Sequence, residues 1–151
     1  MALRTLYQAL LDSDPARLRT IANLWKIPLT TTRKTDLAAE VMAGMVSSEA
    51  VSGVLEMMSQ EQRAALDELL RHGGALPWAV FVRRSGEVRN LGAGRVEREE
   101  LWREPVSPAE ALWFMGMVQR AFAEQNDQAV EMAFVPEDLR LYMPEPSEIE
   151  I

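Results

Sequence analysis

The tetrapeptide Ser107-Pro108-Ala109-Glu110 constrains the fold of this chain more than any other stretch. A serine oxygen can accept from the third helical amide, and proline lacks only an N–H that the first turn leaves unpaired. A glutamate three places on can return to the cap, so the four residues read as a capping box that opens a helix. The same logic recurs along the chain. Asp14-Pro15 starts a helix carrying Leu18, Ile21, Ala22 and Trp25, and Ser47 or Ser48 caps one carrying Val51, Val54, Leu55 and Met58. Ser59-x-x-Gln62 opens another with Leu66, Leu69 and Leu70 inward, and Gly73-Gly74 ends it. Leu3, Leu6, Tyr7, Leu10 and Leu11 share one face of a helix that precedes all of these.

The remaining helices are read from spacing. One starts near Arg33 with Thr32 as its cap and turns Leu37, Val41, Met42 and Met45 to one side. Pro77 opens a short helix with Trp78, Phe81 and Val82, and residues 85–106 read as irregular with a helical turn near 97–102. Beyond Ser107 two readings compete. Leu112, Met115, Val118 and Phe122 fit one long helix, whereas Gly116 could cap a short one and hand over to a hairpin of 117–123 with 129–135. The hairpin is preferred, because Val130, Met132 and Phe134 alternate and a lone strand would have no partner. Gln125-Asn126-Asp127-Gln128 then forms the turn, and Pro136-Glu137-Asp138 caps a last helix through Leu139 and Tyr142.

The chain has 151 residues, 48% of them hydrophobic, enough for one domain with a real core. It has no cysteine and a single histidine, His72, which excludes disulfides, thiolate zinc sites and cysteine nucleophiles. No cofactor and no metal are expected. Neither a signal-peptide h-region nor an apolar run of bilayer length is present, so a cytoplasmic protein without a membrane partner is expected. The net charge is −7, distributed as +2 over residues 1–45 and −9 over residues 46–151. The basic residues are fourteen Arg and two Lys, a usage that reads as compositional bias.

The expected fold is mainly α with a small β-wing: a helix–extended loop–helix unit packed on a winged helix. The expected organisation is a helical hairpin unit at 1–46, a winged-helix-like domain at 47–144, and an acidic tail or linker at 145–151. Residues 59–143 resemble the winged-helix region of the bacterial helicase-associated family, related to the N-terminal domain of XPB-type helicases. The resemblance is carried by Leu69-Leu70-Arg71-His72-Gly73-Gly74, Ser107-Pro108-Ala109-Glu110-Ala111-Leu112, Gly116 through Phe122, and above all Phe134-Val135-Pro136-Glu137-Asp138-Leu139. None of these motifs is catalytic. Residues 15–45 separately resemble a SAP-like or Rho-N-terminal-like unit through Leu18, Ile21, Leu24, Ile27-Pro28-Leu29 and Arg33-Lys34-Thr35-Asp36-Leu37. That second resemblance implies that Lys26, Thr32, Arg33 and Lys34 touch nucleic-acid phosphates.

The residues themselves offer an anion site at the Lys26–Lys34 loop, where helix-start amides, Thr30 to Thr32 and the cations could converge. The competing reading is a solvated loop, since so few cations bind phosphate weakly at physiological salt. Arg83 and Arg84, with Arg89, Arg95 and Arg98, could form a phosphate-contacting edge or simply pair with carboxylates. Arg120 and Gln119, with Asn126 and Gln128 at the tip, are wing candidates. The helix that should enter a major groove lacks Arg, Lys, Asn and Gln, so base reading by it is not expected. Trp113, Phe114 and Met117 suggest instead an apolar surface for a protein or for the chain's own core. Glu97, Glu99, Glu100 and Glu104 read as a solvated face rather than a cation site, and His72 as a helix-end residue. The methionines read as core filler before they read as a binding groove.

The expectation is therefore a non-catalytic nucleic-acid-associated module, with sequence-independent DNA binding or a helicase-associated role. The alternative is a protein-interaction or scaffold winged helix without DNA contact. The expected partners are DNA, through weak phosphate-directed contacts, or a protein partner or further domains of a longer chain.

Overall fold

A computed structural model describes residues 3–144 of the chain, so the expected tail at 145–151 lies outside the described residues. The elements follow in the order α1 (Leu6–Leu11), α2 (Pro15–Trp25), α3 (Lys34–Met45), α4 (Ser48–Met57), α5 (Gln60–Arg71), β1 (Ala75–Pro77) and α6 (Trp78–Ser85). They continue with α7 (Ala93–Arg98), a 3-10 turn (Leu101–Arg103), α8 (Pro108–Phe114), β2 (Gln119–Gln125), β3 (Gln128–Phe134) and α9 (Glu137–Arg140). The protein is mainly α with a small three-stranded antiparallel sheet, in the spatial order β1-β3-β2.

Side-chain caps set most helix starts. Thr5 and Gln8 form a capping box on α1, Asp14 caps α2 with Pro15 at its first position, and Ser47 caps α4. Ser59 and Gln62 form the full box expected for α5. That helix ends in a Schellman motif, in which Gly74 N–H donates to Leu69 O at 2.8 Å and Gly73 N–H to Leu70 O at 3.2 Å. Both glycines hold the left-handed φ that this ending requires.

Several local expectations need correction. Thr32 does not cap α3; Arg33 occupies that position and offers no side-chain bond. At α8 only half of the box forms: Ser107 Oγ accepts from Glu110 N–H at 3.0 Å, while the Glu110 carboxylate turns to Arg89 and the Val106 amide. The segment 85–106 is more regular than its glycines suggest, with α7 starting at Ala93 rather than near 97. Asp138 does not cap its own helix; its Oδ1 accepts from Leu6 N–H at 3.0 Å, closing the start of α1. The strand β1 has no counterpart among the sequence-based expectations. Its three residues, ending in a proline, are too few to show an alternating pattern.

The hairpin forms, displaced by about two residues toward the C-terminus at its first strand. Gly116 takes φ +70, as the capping reading requires, and a Cβ there would lie 2.7 Å from Ile21 Cδ1. Asn126 and Asp127 both take positive φ between the closing pair Gln125 and Gln128. Two such residues make the type I′ turn whose twist matches the strands. β3 is paired on both sides, with Leu76 opposite Ala133 and Arg120 also opposite Ala133.

One hydrophobic core runs from the N-terminal helices into the sheet-bearing half. Leu10, Ile21, Val41 and Met45 belong to the same cluster as Leu69, Leu112, Met117 and Leu139. Two polar side chains pin the halves together: Trp25 Nε1–H donates to Met115 O at 2.7 Å, and Arg17 Nη1–H to Trp113 O at 2.6 Å. Met45, Met117 and Met132 are buried as filler, and Phe114 and Met117 face the chain's own core rather than a partner.

Candidate nucleic-acid interface

The loop after α2 does not gather its cations at one point. Lys26 caps the end of α2 in the left-handed region, which aims the chain back along α3. A Cβ on Gly44 would lie 2.6 Å from Ile27 Cδ1, and Thr30 N–H and Oγ1–H donate to Glu40 at 3.1 and 2.9 Å. The loop therefore runs beside α3 from its C-terminal end to its start. At 1.5 Å per residue, the span from Lys34 to Gly44 places Lys26 about 15 Å from the Arg33–Lys34 pair. The anion site expected at Lys26, Thr32, Arg33 and Lys34 is thus two separate places along one helix. Two of the loop's three hydroxyls are engaged as well: Thr30 is held by Glu40, and Thr31 Oγ1 accepts from Arg33 N–H at 3.2 Å.

What remains at the start of α3 is an uncapped helix end. α1, α2, α4, α5 and α8 carry side-chain caps, whereas α3, like the shorter α6, α7 and α9, has none. Arg33, Lys34 and Thr32 are exposed around it, and Asp36 is the acidic residue of that first turn. Neither Lys26, Arg33 nor Lys34 makes an ion pair among the described residues, in contrast to most arginines of this protein.

The second arginine group is dispersed. Arg84 pairs with Glu68, Arg89 with Glu110 and Arg95 with Glu99, so the pairing reading of these residues describes them. Arg83 and Arg98 are exposed and show no ion pair among the described residues. On the wing, Arg120 bonds Glu131 at 2.6 Å and lies 3.9 Å above the Trp78 ring. Gln119 is buried and donates to Gly116 O, leaving Asn126 and Gln128 exposed at the tip. Glu97 binds Arg19 at 2.6 Å, and Glu100 binds Arg103 at 2.9 Å. Among the described residues no group of three or more His, Asp or Glu is placed to hold a metal ion. His72 Nδ1 lies 2.8 Å from Glu68 O, which can only accept, so this nitrogen carries the proton.

The helix expected from the sequence to face a groove, α8, is largely buried. Ala109, Glu110, Ala111, Leu112 and Phe114 of α8 are all buried. Glu110 has no exposed surface and accepts from Arg89 N–H, the Arg89 guanidinium and Val106 N–H. Burial alone would push this carboxyl up and is the largest single influence. The Arg89 side-chain bond, the two backbone N–H donors and the Arg89 charge together outweigh it and hold Glu110 below the ordinary value.

Sequence reasoning missed the ladder that ties the halves together. Arg17 stacks 3.6 Å from the Trp113 ring, Trp113 meets Trp78 edge-on at 5.8 Å, and Trp78 lies beneath Arg120. Burial pushes the Arg17 guanidinium down to about 9. The sequence signal was an arginine on an otherwise apolar-flanked helix, which is indistinguishable from a surface arginine until Trp113 is placed.

No protein-family model matches the chain, and comparison with curated proteins and with solved structures gives no significant match. Among the described residues no helix is long and apolar enough to cross a membrane.

Proposed function

We propose that this chain is a non-catalytic module of nucleic-acid machinery that touches nucleic acid through phosphates at the start of α3. The observation that carries this is the uncapped end of α3, flanked by exposed Arg33 and Lys34, which have no carboxylate partner among the described residues. Helix-start amides and two cations attract an anion of any sequence context. The burial of α8 removes the element that would read bases, so recognition is confined to the phosphate backbone and specifies no sequence. The resemblance to helicase-associated winged helices supports a place beside a helicase, where weak backbone binding suffices.

Reversing Arg33 and Lys34 to glutamate tests the reading. Both are exposed, so the variant keeps its fold. Binding to duplex DNA then weakens equally on all sequences. The log–log salt slope falls by about 0.9 for each phosphate no longer neutralised, or about 0.7 on single strands. Unchanged binding by the folded variant overturns the placement at α3.

A second reading, a protein-interaction module that does not touch nucleic acid, is favoured by Phe122. This ring is 70% exposed on β2, which is the edge of the sheet. Absence of wild-type binding at low salt to duplex DNA, single-stranded DNA and RNA turns the assignment to this reading.

A further inference from the structure

Between α2, α7 and α8 lies a cleft of about 70 Å³, lined by Arg17, Thr20, Arg89, Leu91, Val96 and Phe114 among others. That is room for about two waters at the volume each takes in the liquid, and about half of the 150 Å³ cavity that takes a benzene. Its polar lining is almost entirely of donors. A guanidinium has five N–H donors, and Arg17 directs its own to Trp113 O, Val118 O and Gln119 Oε1. None of these acceptors is charged, so a largely desolvated cation stands without a carboxylate partner among the described residues. Arg89 bonds Glu110 through Nε and Nη2 and keeps its Nη1 donors. Thr20 is 3% exposed, and its Oγ1 has no hydrogen-bond partner among the described residues. A buried hydroxyl without a partner costs free energy that native structures ordinarily avoid.

We propose that this cleft binds a small oxyanion, a carboxylate with a short apolar tail. The lining is complementary to such a ligand. Unused donors from two arginines and the Thr20 hydroxyl call for an acceptor, and the positive charge of Arg17 calls for an anion. Leu91, Val96 and Phe114 form walls against which an alkyl tail packs and a fully hydrated inorganic ion does not. A metal cation is excluded by the same lining, which presents two guanidinium groups and no unpaired carboxylate.

The experiment uses the whole chain and the probes acetate, propionate, butyrate, octanoate, inorganic phosphate and chloride at matched ionic strength. Propionate and butyrate raise the melting temperature by a few degrees at saturation and shift the Arg17 Nε–H resonance, with chloride and octanoate doing neither. Thr20→Val is nearly isosteric and removes the orphaned hydroxyl, so it folds at least as stably as the wild type without ligand. It weakens propionate binding about tenfold, the effect of removing one hydrogen bond. Ala93→Leu, which fills the cleft from α7, abolishes the response. Three results overturn the proposal: propionate acting no more than chloride, Thr20→Val binding as tightly as the wild type, or octanoate acting as well as propionate. Stabilisation by phosphate without propionate overturns the assignment of the apolar tail.

Discussion

Asp138 Oδ1 accepts the amide proton of Leu6 at 3.0 Å across 132 positions of sequence. The last described helix thereby completes the first turn of the first one, beside the Thr5 and Gln8 box. Asp138→Ala leaves the Leu6 amide without its acceptor and lowers unfolding stability by about 1 kcal/mol. Urea denaturation measures the loss, and hydrogen exchange locates it: protection at Leu6 falls first. An Asp138→Ala protein as stable as the wild type contradicts the role given to this bond.

Glu110 accepts from four N–H groups at once, so its replacement is felt at both α8 and the 85–92 loop. Glu110→Ala strands the Arg89 and Val106 amides and costs about 2–3 kcal/mol. Because Arg89 is part-exposed, Arg89→Ala costs less, and the double variant shows coupling between the two sites. Additive losses in that cycle, read from denaturant midpoints, argue against the pair.

Two carboxyls predict the acid limb of stability. Glu97 is held below its ordinary value by the Arg19 hydrogen bond, against its own partial desolvation, and Glu110 is held below it by the bonds from Arg89 and Val106. A folded-state value below the unfolded one means the folded protein binds fewer protons. The stability is then fully present above the ordinary value of 4.5 and is lost as pH falls through the lower folded values. Thermal melts between pH 7 and pH 3 show this loss in the wild type and a shallower one in Glu110→Gln. Identical pH profiles for the two proteins contradict it.

Asp127 sits at φ +62 in the hairpin turn, where glycine carries no steric penalty. Asp127→Gly raises stability by about 0.5 kcal/mol without altering the strand register. A fall in melting temperature shows that the Asp127 side chain holds the turn.

Helix starts and the hairpin were legible because each is encoded within a few residues. Asp14-Pro15, Ser59-x-x-Gln62 and Gly116 act on their immediate neighbours, and the structure places all three as read. Two other motifs show the limit of that logic. Glu110 and Asp138 stand where local caps belong, yet a distant donor takes each: Arg89 for the first and Leu6 for the second. A carboxylate binds the best donor within reach, and reach in space is not written in spacing. The candidate site divides the same way. Its exposed cations were readable, but their separation along α3 depends on the backbone turning at Lys26, a left-handed residue that is not glycine. Arg17 and Thr20 were silent in sequence, because a cleft is made by three helices and belongs to none of them.

The joints between the two halves have a consequence for synthesis. Arg17 and Trp25 find their acceptors at residues 113, 115, 118 and 119, and Leu6 finds its own at 138. The N-terminal helices leave the ribosome first but lack these partners until nearly the whole described chain has been made. Until then Arg17, Trp25 and the Leu6 amide stay hydrated, although α1 and α2 can already pack against α3. Closure of the seam between the halves therefore waits on the last elements of the described chain, since non-local contacts form only once both partners exist.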